Sequence, residues 1–196
     1  MSPELQSDIA LLDEVLREVL RSHAGDAHLD LLARAGVRLL TLTGPGGTGK
    51  TRLALEAAAG QLDHYAHGVY LVSLAPLRSA EAIVPTVADA LGFVFYPASV
   101  TPRQQLLDYL REKRMLVILD NFEHLPEGVD LVLDVLRAAA KVKVMVTSRV
   151  TLGARSEYLI SVGGMACPWQ SVREEESGGI PSVMRYDAAK LLVQSL

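Results

Sequence analysis

The chain has 196 residues, 49 % of them apolar and 21 % charged, with a net charge of −4. That balance excludes wholesale disorder, the length suits one domain or one domain with a short appendage, and the acidity disfavours gripping DNA or an anionic membrane through the overall field, a local basic patch apart. A lone cysteine, Cys167, rules out an internal disulfide and fits a reducing, intracellular setting.

The opening, "MSPELQSDIALLDEVL", carries acids where a secretory signal carries bases. No apolar run approaches the ~18 residues of a membrane-spanning helix. The expectation is a cytoplasmic protein with no membrane partner. Ile9, Leu12, Val15, Leu16, Val19 and Leu20 fall on one helical face, which predicts a helix over 7–21 with Ser7 or Asp8 at its start. A loop at 22–28 and a short helix at 27–35, ending near Gly36, complete an N-terminal helical segment, 1–36.

From residue 37 the pattern alternates. "VRLLTLT" (37–43) reads as a buried strand and 50–62 as a helix; "GVYLVSL" (68–74) is a second strand, followed by helices at 79–92 and 102–113. "MLVILDN" (115–121) is a third strand, 128–140 a helix, "KVMVTS" (143–148) a fourth strand and "EYLISV" (157–162) a fifth. Near-continuous aliphatic runs indicate strands covered on both faces, as in a parallel sheet flanked by helices, so the class is α/β and the core spans 37–162. The last part, 163–196, reads as a Gly-, Ser-, Pro- and charge-rich loop (163–182) and a helix at 186–196, which leads to the expectation of further C-terminal domains in a longer chain.

The chemistry is concentrated after the first strand. Gly44, Pro45, Gly46, Gly47, Thr48, Gly49, Lys50 and Thr51 fit G-x-x-x-x-G-K-[ST], between a strand and an amphipathic segment as that phosphate loop requires. Glycines let successive N–H groups turn inward toward phosphate oxygens, and the following helix points its positive end at the same anion. Lys50 is assigned to the β- and γ-phosphates, the Thr51 hydroxyl to Mg²⁺, and Arg52 is included in the nucleotide-binding set. Asp120 ends a hydrophobic strand, the edge where ligands of open parallel sheets sit, and can hold Mg²⁺ through water opposite Thr51; alone it would be an ordinary turn residue. Arg149, just past the fourth strand, can report the γ-phosphate, or be a solvated surface arginine. About 70 residues separate the loop from Asp120, with a full strand between them. This suits a P-loop NTPase sheet of order 2-3-4-1-5.

"LLTLTGPGGTGKTRLALEAA", "GVYLVSLAPL", "LVILDNFEHL" and "VMVTSR" together resemble the ATPase module of bacterial STAND proteins, signal-transduction relatives of the NB-ARC ATPases. The look is that of modules in large bacterial transcriptional regulators with LuxR-type or antibiotic-regulator-type DNA-binding domains. The resemblance covers 37–162, and "YDAAKLLVQSL" extends it weakly to the end. It implies an ATP/ADP switch that is reset by slow hydrolysis and works against flanking domains. It places Lys50, Thr51, Asp120 and Arg149 at motif positions for phosphate, Mg²⁺ and γ-phosphate sensing. Three departures stand out. Asn121 occupies the place of a second acid, which leaves Glu123 either as a substitute base or as a solvated acid at a helix start. No "GRE"-like signature for adenine occurs in 1–36, so ATP over GTP rests on the resemblance. The helical and winged-helix domains that follow the core in the family are not in this chain.

Other features are weaker. His23, His28, His64, His67 and His124 lack metal-ligand spacing, "REEES" (173–177) reads as a solvated loop, and Trp169 as a packing or domain-contact residue. Two alternatives stand beside the ATPase switch: a nucleotide-binding scaffold that does not hydrolyse, and a P-loop small-molecule kinase. Kinases place the Mg²⁺ strand beside the phosphate-loop strand and carry an arginine-rich lid, for which Arg149 and Arg155 are sparse. No recognition-helix motif suggests direct nucleic-acid binding.

Overall fold

The computed structural model describes residues 36–163. The helices expected at 7–21, 27–35 and 186–196, and the loop beyond Gly163, lie outside the described residues. Five strands alternate with four helices: β1 (Leu39–Thr43), α1 (Lys50–Ala59), β2 (Val69–Ser73), α2 (Ile83–Leu91), α3 (Pro102–Leu110), β3 (Leu116–Asp120), α4 (Val129–Ala138), β4 (Lys143–Ser148) and β5 (Glu157–Ser161). The strands form one parallel sheet of order β2-β3-β4-β1-β5. The expected insertion of a strand between the phosphate-loop strand and the Asp120 strand is thus observed, and the inserted strand is β4.

Period-two alternation divides the sheet's side chains between two apolar layers. Leu39, Val117, Leu119, Val144 and Val146 face α2, α3 and α4. Leu40, Leu42, Leu116, Ile118 and Met145 face α1, where Leu53, Ala54, Ala57 and Ala58 cover them. The three central strands are buried almost throughout, as their aliphatic runs require. The outer two are not: Leu71 of β2 and Tyr158 and Leu159 of β5 are exposed. Expectation of two-sided cover therefore holds for the centre of the sheet and is corrected at its edges, where each strand has one neighbour among the described residues.

Helix boundaries follow local chemistry. Thr101 caps α3 by accepting the Gln104 N–H at 3.2 Å, with Pro102 at the first helical position. Gly92 ends α2 in the left-handed region. The helix expected from 79 begins instead as a 3-10 turn, Ala80–Ala82, and becomes α-helical at Ile83, so Pro85 falls in the first α-turn, where its missing N–H costs nothing. Among the described residues no helix is long and apolar enough to cross a membrane.

Candidate functional site

In a parallel sheet the C-terminal ends of neighbouring strands meet at one rim. Here β1 delivers the phosphate loop, β3 delivers Asp120, and β4, lying between them, delivers Thr147, Ser148 and Arg149. The alternation that buries Ile118 and Met145 toward α1 puts Asp120 and Thr147, two residues further on, on that same side. Two of the residues named from the sequence are brought together here: Thr51 Oγ1 donates to Asp120 Oδ1 at 2.6 Å, although 69 positions separate them.

The loop is built for close backbone approach. Gly44, Gly47 and Gly49 have φ of 152°, 78° and 85°. At Gly44 a β-carbon would also collide with the carbonyl oxygen of Val162, which follows β5. Pro45, Gly46 and Gly47 are exposed, while Thr48 and Gly49 are half-buried. The Thr48 hydroxyl donates to the Pro45 carbonyl at 3.0 Å. The Lys50 ammonium turns back into the loop and donates to the Gly44 and Pro45 carbonyls at 2.8 and 2.7 Å. Arg52 is exposed in the first turn of α1.

The start of α1 differs from that of α3. Its cap is Gly49, no side chain accepts a bond from its first N–H groups, and its first turn holds no acid. A helix start leaves several N–H donors unsatisfied, and those of α1 open onto the loop. Donors of this kind, with one ammonium beside them, fit a polyphosphate. A hydroxyl and a carboxylate 2.6 Å apart fit Mg²⁺, a hard cation that takes few protein oxygens and draws its remaining ligands from phosphate and water. Thr51 and Asp120 are the residues that could hold it.

Glu123 and Arg149 meet across the same rim. Arg149 Nε lies 3.0 Å from Glu123 Oε1, with Glu123 16 % exposed and Arg149 64 %. The Arg149 guanidinium also lies over Gly46: a β-carbon there would sit 3.5 Å from it. Glu123 Oε2 is buried and has no hydrogen-bond partner among the described residues. An unpartnered buried carboxylate oxygen is costly, and it can accept a proton from a water brought beside it.

Sequence reasoning missed two things here. It read Glu123 and Arg149 separately, and charge type alone does not say that two loops meet. It also missed Thr147, whose hydroxyl donates to Asp120 Oδ1 at 2.6 Å and accepts the Asn121 N–H at 2.9 Å. The available signal was a hydroxyl within an aliphatic strand, on the face that period-two counting shares with Asp120.

Comparison with known proteins gives three results. A family model described as an AAA domain matches residues 33–151. Proteins of Mycobacterium bovis and Mycobacterium tuberculosis that carry the provisional name of HTH-type transcriptional regulator are 35 % identical over 136 residues, which cover 69 % of this chain and 15 % of theirs. An uncharacterized Mycobacterium tuberculosis protein is 31 % identical over 121 residues, 61 % of this chain and 30 % of its own length. The chain thus spans less than a third of the curated relatives it matches. Among solved structures, Cdc6p from Pyrobaculum aerophilum aligns with TM-score 0.52 and 19 % identity, over 68 % of this chain and 43 % of that one. A chain of the Drosophila ORC bound to DNA aligns with TM-score 0.54 and 14 % identity, over 73 % and 42 %. Identities this low establish the shared fold.

Proposed function

The chain belongs to the AAA domain family, and from that premise we propose that it is an ATP-binding, slowly hydrolysing switch module of the STAND type within a bacterial transcription regulator. The observation that carries this reading is the meeting of Thr51 and Asp120 at the rim where the phosphate loop opens. The names of the mycobacterial relatives favour a regulatory setting; flanking domains of a longer chain as the partners and the cytoplasm as the place belong to the same proposal.

In this reading the loop amides and the start of α1 cradle the phosphates, and Lys50 exchanges its two carbonyl acceptors for β- and γ-phosphate oxygens. Thr51 and Asp120 hold Mg²⁺, which supplies positive charge against the phosphates. Arg149 turns from Glu123 to the γ-phosphate. Glu123, released from its ion pair, orients a water through Oε1 and takes its proton at Oε2. The arginine thus senses the triphosphate by the same movement that frees the base. The non-hydrolysing scaffold remains the second reading, favoured by Asn121 beside Asp120 and by the ion pair that occupies Glu123.

A single-turnover phosphate-release assay on the chain, Lys50→Ala and Glu123→Gln separates the readings. Release by the native chain alone supports the ATPase with Glu123 as base. Triphosphate binding without release supports the scaffold. Release that requires an added small acceptor would reopen the kinase reading. Failure to bind any nucleotide would sink the proposal.

A further inference from the structure

We propose that Thr147 is a positioning residue: its hydroxyl joins the Mg²⁺ carboxylate to the water-activating carboxylate, so that one cannot be placed without the other. The inference rests on the reading of the site given above and adds to it a residue outside the phosphate loop.

Thr147 is buried within β4, at 2 % exposure, where the run Val144, Met145, Val146 would lead one to expect another aliphatic side chain. A buried hydroxyl needs partners, and this one has both a donor and an acceptor at the exit of β3. It donates to Asp120 Oδ1 at 2.6 Å and accepts the Asn121 N–H at 2.9 Å. Asn121 lies at φ 68°, ψ 54°, and among the described residues it is the non-glycine with positive φ. That left-handed turn redirects the chain. Phe122 goes into the core, and Glu123 is carried to Arg149 at 3.0 Å.

Two hydroxyls converge on Asp120 Oδ1, from Thr51 and from Thr147. In the proposed reading the Thr51 hydroxyl becomes a cation ligand and gives up this bond. The Thr147 bond then remains to fix the carboxylate, while the other side of the same hydroxyl fixes the turn that aims Glu123. Partners of this kind, one shell out from a metal, typically change metal affinity by 10–100-fold when removed.

The test compares the native chain with Thr147→Val, which keeps shape and loses the hydroxyl, and Thr147→Ser, which keeps the hydroxyl. Affinity for a fluorescent ADP is titrated with and without Mg²⁺, beside single-turnover phosphate release. Thr147→Val should leave Mg²⁺-free affinity within about twofold and reduce the gain on adding Mg²⁺ by about tenfold or more. Thr147→Ser should recover most of that gain, a pattern that mere loss of packing would not produce. A Thr147→Val chain with the native Mg²⁺ gain overturns this assignment alone. A native chain that binds with no help from Mg²⁺ overturns both the assignment and the reading it rests on. Should Thr147→Val not fold, hydrogen exchange on the native chain decides: a protected Asn121 amide supports the link, and one exchanging at the rate of an unstructured amide overturns it.

Discussion

At the scale of single residues, the phosphate loop holds groups that serve themselves until a ligand arrives. Lys50 spends its ammonium on two loop carbonyls. Lys50→Ala should therefore fold with little loss, yet lower triphosphate affinity by roughly 10–100-fold, the worth of a charge-assisted hydrogen bond; titration with a fluorescent ATP analogue measures it. Arg149 divides its role differently. Because it sits on Glu123 and over Gly46, Arg149→Gln should weaken ATP about tenfold while ADP, which lacks the γ-phosphate, changes little. Equal loss for both nucleotides would contradict γ-phosphate sensing. Gly44 is a structural matter: a positive φ and a collision with Val162 mean that Gly44→Ala should cost about 2–4 kcal/mol in denaturant unfolding. Lys50 and Thr51 could be named from a local motif, and Asp120 from its place at the end of an aliphatic strand once that motif was recognised. Thr147 and the Glu123–Arg149 pair were not, since they arise where segments distant in sequence come to the same rim.

At the scale of elements, burial decided nearly everything that the sequence announced. The helices were expected close to where they lie, while the roles of Thr101, Pro102 and Gly92 at their ends emerge from the structure. The strands were readable from aliphatic runs, but a run does not say whether its strand is central or at an edge. β2 and β5 look like the others in sequence and differ only because nothing pairs with their outer sides among the described residues. The capped start of α3 and the uncapped start of α1 make a controlled pair. Thr101→Ala removes an ordinary cap and should cost about 1 kcal/mol of stability without altering nucleotide affinity. A change in affinity there would show that α3 is coupled to the loop, which the present geometry gives no reason to expect.

At the scale of the whole molecule, the site belongs to no single segment: three adjacent strands must stand side by side before it exists. A ligand that binds only this arrangement stabilises all of it. Mg²⁺–ADP at a hundred times its dissociation constant should add about 2.7 kcal/mol and raise the melting temperature by roughly 5–12 °C, read by calorimetry. Alkaline pH acts in the opposite sense. Burial pushes the Tyr65 phenol up to about 12 against the opposing pull of Arg114, so the folded state holds that proton more tightly than the unfolded one. Its contribution is complete below pH 10 and is lost as pH climbs from 10 toward 12; in Tyr65→Phe that part of the decline should be missing from a pH series of unfolding midpoints.

The strand register has one more consequence. Ser73 lies level with Asp120, Leu42 with Thr147, and Thr43 with both Ser148 and Ser161. The strands finish flush, like the teeth of a comb, and the working groups are the tips. Strand length is then as exacting a requirement as residue identity. Adding one alanine inside β4, ahead of Thr147, would swing every later side chain to the opposite face of the sheet, whereas the same alanine in the irregular segment at Gly153, between β4 and β5, would leave the tips of β1, β3 and β4 in place. Tolerance to insertions along this chain should therefore trace the comb's outline: intolerant along the teeth, permissive between them.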